Sequence, residues 1–335
     1  MTDVILDIDA AGDDILAVLY GALHSEINLL GITTSCGASG SIEQASWVAL
    51  NVLEVAGDMK TPVYKGSQGP MNPVAADDLD SPVHFDDELR WKFGDRLDKF
   101  NTPAKRPARE PEETEACDYL IRMFNERPGE IKLVVTGPLT NIGLALQKDP
   151  GIAGKIKHLY VMGGCFNTPG NITPVTEYNI WADPEAAKIT FNSGVPITVV
   201  PLDICEDNNF ACGMFTRDHI ADLENFGSGK VVEYIADKFP IYVDIWREYF
   251  RLGGFPMDDA ITLALTVEED LCKYTDPVYI DIELEGTLSR GQTVAYFGSQ
   301  ILKTGQGKPK NSRIATWLDG RRFIDGFVDT MLGKR

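Results

Sequence analysis

Apolar runs of strand length, each followed by a helix-like stretch, recur along much of this chain: VILDI before DDILAVLYGALH, INLLGITT before SIEQASWVALNVLEVAG, and IKLVVT before PLTNIGLALQ. IKHLYVMGG likewise precedes the expected helix DPEAAKITFN, after which comes PITVVPLD. Strands with no polar alternate are covered on both faces, and regular alternation with helices joins them in parallel. The pattern predicts an α/β fold, a mainly parallel central sheet with helices on both faces. YIDIELEGTLSRGQTVAYFG alternates apolar and polar residues about a Gly-containing turn and is expected to be a small hairpin at the edge of that sheet, and LDGRRFIDGFVDTMLG a closing helix. There are no repeats. The least regular stretch, 70–111, is rich in Pro, Asp and Lys and reads as a long active-site loop rather than a linker. Residues 1–335 are therefore expected to form a single domain.

Composition narrows the partners. With 31 basic and 50 acidic side chains the formal charge is −19, which disfavours nucleic acid and anionic membrane surfaces and favours a neutral small molecule or a cation. No apolar run reaches the roughly 18 residues of a membrane span. The start, MTDVILDIDA, has no basic region ahead of its apolar stretch, so a cytoplasmic protein is expected. The 6 cysteines form no C-x-x-C pair; reduced, mostly buried thiols are the expectation.

Chemistry concentrates in LDIDAAGDD, Leu6 to Asp14, where four carboxylates lie between an apolar run and a helix. Crowded acids repel, and at the end of a buried strand they need a positive partner. Helix capping explains one of Asp13 and Asp14 but not four acids. Oxygen donors without His or Cys suit Ca²⁺ or Mg²⁺. An EF-hand loop counted from Asp7 fails, because Ala11 and Val18 fall at its fifth and twelfth positions. A strand-borne D-x-D also opens Mg²⁺-dependent phosphatases of the haloacid-dehalogenase type. In those a Gly-Thr or Gly-Val step should follow, whereas Ala10-Ala11-Gly12 leads into the doublet Asp13-Asp14.

D-x-D-x-x-x-D-D at the end of a first strand resembles the signature of the nucleoside hydrolases, the inosine-uridine-preferring family. Four further stretches resemble that family in the same order: VVTGPLTNIGLAL at 134–146, VMGGCFNTPGNITPVTEYNIWADPEAA at 161–187, PMDDAITLAL at 256–265 and IELEGTLSRGQTV at 282–294. The resemblance covers nearly the whole chain. It implies the nucleoside hydrolase fold, Rossmann-like, and Ca²⁺-dependent cleavage of the N-glycosidic bond of ribonucleosides. Asp9, Asp14, the Thr136 carbonyl and Asp258 would bind the ion, and Asp9 would act as general base. Asp13, Asn171, Glu177 and Asn179 would hold the ribose, and Asp7 would orient the other acids from behind. Relatives self-associate, so a homodimer or homotetramer is expected.

Two departures from the family pattern bear on the site. TTSCGASGS places Ala38 where members carry an Asn near the attacking water, with Ser39 as a neighbouring substitute. Met257 stands where many members carry a His that protonates the leaving base, and Asp259 replaces a Pro. Base contacts then fall to His84 in SPVHFDDELRW, to Tyr242, Trp246 and Tyr249 in IYVDIWREYF, and to Met257 itself. Stacking on aromatic rings suits a purine or modified base. The rival expectations are the phosphatase and a non-catalytic nucleoside or sugar binder, the latter motivated by the missing Asn and His.

Overall fold

The computed structural model of the chain describes residues 1–72, 86–97, 104–206 and 213–334. Its centre is an eight-stranded sheet ordered β3-β2-β1-β4-β5-β6-β10-β7. The strands are β1 (Thr2–Ile8), β2 (Ile27–Thr34), β3 (Val63–Lys65), β4 (Lys132–Val135), β5 (His158–Met162), β6 (Ile197–Val200), β7 (Cys272–Tyr274) and β10 (Ser312–Leu318). All neighbours run parallel except β7, which lies antiparallel beside β10.

In β1 the two-residue period distributes side chains to both faces. Val4, Leu6 and Ile8 enter one hydrophobic cluster, Ile5 the other. The first cluster is completed by α1 (Gly12–Leu23), α2 (Ile42–Ala56) and the helices Lys230–Ile245, Asp258–Ala264 and Gly320–Met331. Helices Ala116–Glu126, Thr140–Lys148 and Pro184–Phe191 complete the second. Helix ends follow local chemistry: Ser41 accepts the Gln44 amide at the start of α2, and Gly57, at φ 79°, ends it.

Three elements differ from the sequence expectation. The hairpin β8 (Tyr279–Ile282) with β9 (Thr293–Tyr296) forms its own two-stranded sheet and does not extend the edge of the main one. β7 already pairs with β10 there, and the apolar face of the hairpin, with Ile280 and Ile282, buries in the second cluster beside the helix Pro184–Phe191. Within the expected long loop, Asp86–Phe93 is helical. The aromatic helix IYVDIWREYF changes character at its end, where Trp246–Phe250 is a π-helical turn. Among the described residues no helix is long and apolar enough to cross a membrane. Cys165, Cys205 and Cys272 are free and buried, and Cys36 and Cys117 are free and half-buried.

Strand order runs outward in both directions from the β1–β4 pair, and such a reversal opens a crevice beyond the carboxyl ends of the two strands. Asp9 follows β1 there and Thr136 follows β4.

Candidate active site

The acid-rich turn is held by main-chain amides. Ala10 adopts a left-handed φ of 61°, a conformation that costs a non-glycine residue about 1–3 kcal/mol and persists where the surroundings enforce it. The turn brings the Ala11 amide to Asp9 Oδ1 at 3.2 Å and to Asp14 Oδ2 at 2.9 Å. From the loop after β2 the Ala38 amide donates to Asp9 Oδ2 at 2.9 Å. Position 38 thus meets Asp9 through its main-chain amide, while the Ser39 hydroxyl turns to the Ser41 carbonyl. Gly37 permits this approach, since a Cβ there would stand 2.2 Å from Asp9 Oδ2. Thr136 donates its hydroxyl to Asp14 Oδ1 at 2.6 Å.

On the facing wall, Glu177 accepts the amides of Gly164 (2.9 Å) and Asn179 (2.7 Å). Asn179 Nδ2 donates to the Thr136 carbonyl at 2.8 Å, so a residue expected on the sugar touches a group expected on the ion. Asn171 is exposed; its Oδ1 accepts the Tyr178 amide at 2.9 Å, and its side chain also hydrogen-bonds Glu206. Asp7 is directed elsewhere: it accepts from the Thr33 hydroxyl (2.6 Å) and Asn141 Nδ2 (2.9 Å), so it braces β2 and the helix Thr140–Lys148 instead of bonding Asp9 or Asp14. Thr140 begins that helix and donates to Asp183.

Burial and mutual repulsion dominate the electrostatics. Burial pushes Asp9 up, and lifts Asp14 further because Asp9 and Asp13 stand beside it. Asp13 rises to about 6, chiefly through burial, with Asp259 within hydrogen-bonding reach. Asp258 and Asp259 are strongly raised, first by burial and then by Glu206 and Asp13 for the former, Asp13 and Asp14 for the latter. Glu177 and Glu206 are each pushed to about 7, again by burial first. Glu206 and Asp259 are site residues that the sequence reading did not assign. Their signal was present, since ICED follows β6 at the same carboxyl edge and Asp259 fills a family Pro position.

Does this wall suit a cation? Among the described residues no three His, Cys, Asp or Glu side chains stand grouped as metal ligands, so Asp9, Asp14 and Asp258 do not yet close on one point. The donor chemistry nevertheless fits a hard dication. All donors are oxygens, the acids repel one another, and buried Asp258 Oδ1 has no hydrogen-bond partner.

The base-side candidates separate by burial. Met257 is 0% exposed within the first hydrophobic cluster and offers no surface to a ligand, which corrects its place among the base contacts. Its position immediately before the buried helix Asp258–Ala264 draws it into the core. Tyr242 is buried against Phe255, its ring lying where a Cβ on Gly12 would fall, and Trp246 and Tyr249 are half-buried. His84 lies outside the described residues. Tyr178, half-buried, has its phenol pushed up by burial and by the nearby Asp9, Cys36 and Glu177.

A parallel sheet whose switch point gathers buried carboxylates held by main-chain amides has the build of an α/β enzyme. The profile of the inosine-uridine preferring nucleoside hydrolases matches residues 4–325, and the chain belongs to that family of metal-dependent hydrolases acting on N-glycosyl compounds, whose substrates are small-molecule ribonucleosides. It is 32% identical over 337 residues to the pyrimidine-specific ribonucleoside hydrolase RihB of Shigella flexneri serotype 5b, covering 98% of each chain. Among solved structures it is similar to a plant nucleoside hydrolase, PpNRh1 (TM-score 0.84, 28% identity, 99% of each chain). A purine-preferring ribonucleoside hydrolase from Gardnerella vaginalis is also similar (TM-score 0.81, 27% identity, 99% of each chain).

Proposed function

We propose that this chain hydrolyses the N-glycosidic bond of ribonucleosides to free base and ribose with Ca²⁺ as its ion, and that Asp9 is the general base. The observation that carries the reading is the meeting of Asp9, Asp14 and Thr136 at the switch point, with Asn179 on the Thr136 carbonyl. Asp9, Asp14, Asp258 and the Thr136 carbonyl would hold the ion. When bound, it supplies charge neutralisation among the acids and an electrophilic anchor for sugar hydroxyls.

The chain's own residues do the rest. Asp9, whose carboxylate accepts the amides of Ala11 and Ala38, takes a proton from water as the water oxygen bonds to C1′. The C1′–N bond breaks, its electron pair leaves with the base, and the base takes a proton from solvent, to which Asp9 returns the one it accepted. Positive charge on C1′ and the ring oxygen is stabilised by the surrounding carboxylates. Asp13, Glu177, Asn171 and Asn179 accept or donate to the ribose hydroxyls.

For the nucleobase, half-buried Trp246 and Tyr249 offer aromatic faces suited to a purine or modified base. The curated relative named above is pyrimidine-specific and one structural relative is purine-preferring, so a panel of both classes is the deciding assay. We further infer one cytoplasmic domain assembled as a homodimer or homotetramer, which sedimentation would measure.

Reducing sugar is assayed on a nucleoside panel, with phosphate release from a phosphomonoester in parallel. Ribose without phosphate supports the reading. Ribose-compound binding without turnover favours a non-catalytic binder, and Mg²⁺-dependent phosphate release favours a phosphatase.

A further inference from the structure

At the edge of the sheet opposite the acidic crevice, the starts of β4, β5, β6 and β10 frame a cavity of about 610 Å³. Its wall carries Lys132, Lys157, Lys310 and Arg313 against one carboxylate, Glu269. Four cations less one acid leave a local excess of three positive charges in a chain of net charge −19. Arg313 pairs with Glu269 at 2.6 Å, and Lys132 donates to the Thr266 carbonyl at 2.6 Å. Lys157 and Lys310 are exposed, and their side chains have no hydrogen-bond or ion-pair partner among the described residues.

Burial together with Arg313 and Lys132 pushes His158 down to about 4, and Lys132 is itself lowered by burial and by Lys157. Cations that depress one another are incompletely neutralised, and an entering anion relieves that repulsion. Two residues of the cavity wall carry a buried polar atom without a partner, Ser312 Oγ and Asn311 Oδ1. A serine hydroxyl can donate to a phosphate oxygen. Asn311 Nδ2 donates to the Val195 carbonyl at 2.7 Å, which assigns the other amide atom as an oxygen that can only accept. Its complement is a ligand hydroxyl.

We propose that this cavity is a second binding site, for a small phosphate monoester that carries free hydroxyl groups, such as a pentose phosphate or a nucleoside monophosphate. The phosphate lies among Lys132, Lys157, Lys310 and Arg313 beside Ser312, and a ligand hydroxyl donates to Asn311 Oδ1. β4 alone separates it from the crevice: Lys132 opens the strand and Thr136 follows its end, roughly 13 Å away at about 3.3 Å per residue. The site stands or falls independently of the reaction assigned to the crevice.

The test is calorimetric titration at low salt with ribose 5-phosphate, a nucleoside monophosphate and inorganic phosphate, on the wild type and on the double variant Lys157→Glu/Lys310→Glu. The expected result is saturable binding of at least one ester, with the better-bound ester identifying the source. Inorganic phosphate should bind at least tenfold more weakly, and the variant should bind that ester at least tenfold more weakly with unchanged nucleoside hydrolysis. Absence of ester binding, binding that survives in the variant, or equal affinity for inorganic phosphate overturns the proposal. A lower oligomer mass in the variant overturns it in favour of a contact between copies.

Discussion

At the residue scale the site depends on how closely main chain approaches Asp9. The Ala38 amide donates to Asp9 Oδ2, and only a residue without Cβ at position 37 leaves room for that approach. Gly37→Ala should therefore displace Asp9. Because a misplacement of about 1 Å at a reacting group can lower rates roughly 10²-fold, kcat should fall by that order while KM changes little. Steady-state kinetics showing an unchanged kcat would remove the positioning role. Acceptors that hold the ribose also predict discrimination: a 2′-deoxynucleoside leaves Asp13 or its neighbours unpaired, so kcat/KM for deoxynucleosides should be several orders of magnitude lower. Equal rates on inosine and deoxyinosine would contradict that assignment. Which acids matter was legible in LDIDAAGDD, but how they divide was not. Asp7 faces Thr33 and Asn141 because the strand's alternation sends it to the opposite face from Leu6 and Ile8, and Asp259 meets Asp13 only through the packing of two helices remote in sequence.

Among the elements, strands buried on both faces and the helices after them declare themselves by continuous apolar runs, and the parallel order of β1 to β6 follows from them. Features set by long-range neighbours did not show. The hairpin's alternation predicts an amphipathic ribbon equally well whether a sheet edge or the helix Pro184–Phe191 covers it. The π-helical turn Trp246–Phe250 breaks the spacing of an ordinary helix and holds Trp246 5.1 Å, centroid to centroid, from Phe255. Such turns are frequent at functional sites. If this one stacks on the base, Trp246→Ala loses about 1–3 kcal/mol of base contact, and the KM for nucleosides rises about 5- to 150-fold while kcat changes less. An unchanged KM would return Trp246 to the core alone.

Taken whole, the molecule concentrates carboxylates at one edge of its sheet and cations at the other. Asp7 and Glu177, ordinarily near 3.8 and 4.5, are each raised to about 7 in the fold by burial. The folded state therefore binds more protons than the unfolded chain between those limits, and metal-free stability falls as pH rises from about 4 to 7. In EDTA the Tm should be higher at pH 5.5 than at 7.5, and added Ca²⁺ should narrow the difference by stabilising the protein at the higher pH. A metal-free Tm that rises over this interval would contradict the acidic cluster as drawn. The most direct test of the central claim is single-turnover ribose release by wild type and Asp9→Asn, each loaded with Ca²⁺. The wild type should release ribose and base in equal amounts, and the variant should bind nucleoside but react about 10²- to 10⁴-fold more slowly, the usual range for loss of a general base. A variant that releases ribose at the wild-type rate would contradict the account.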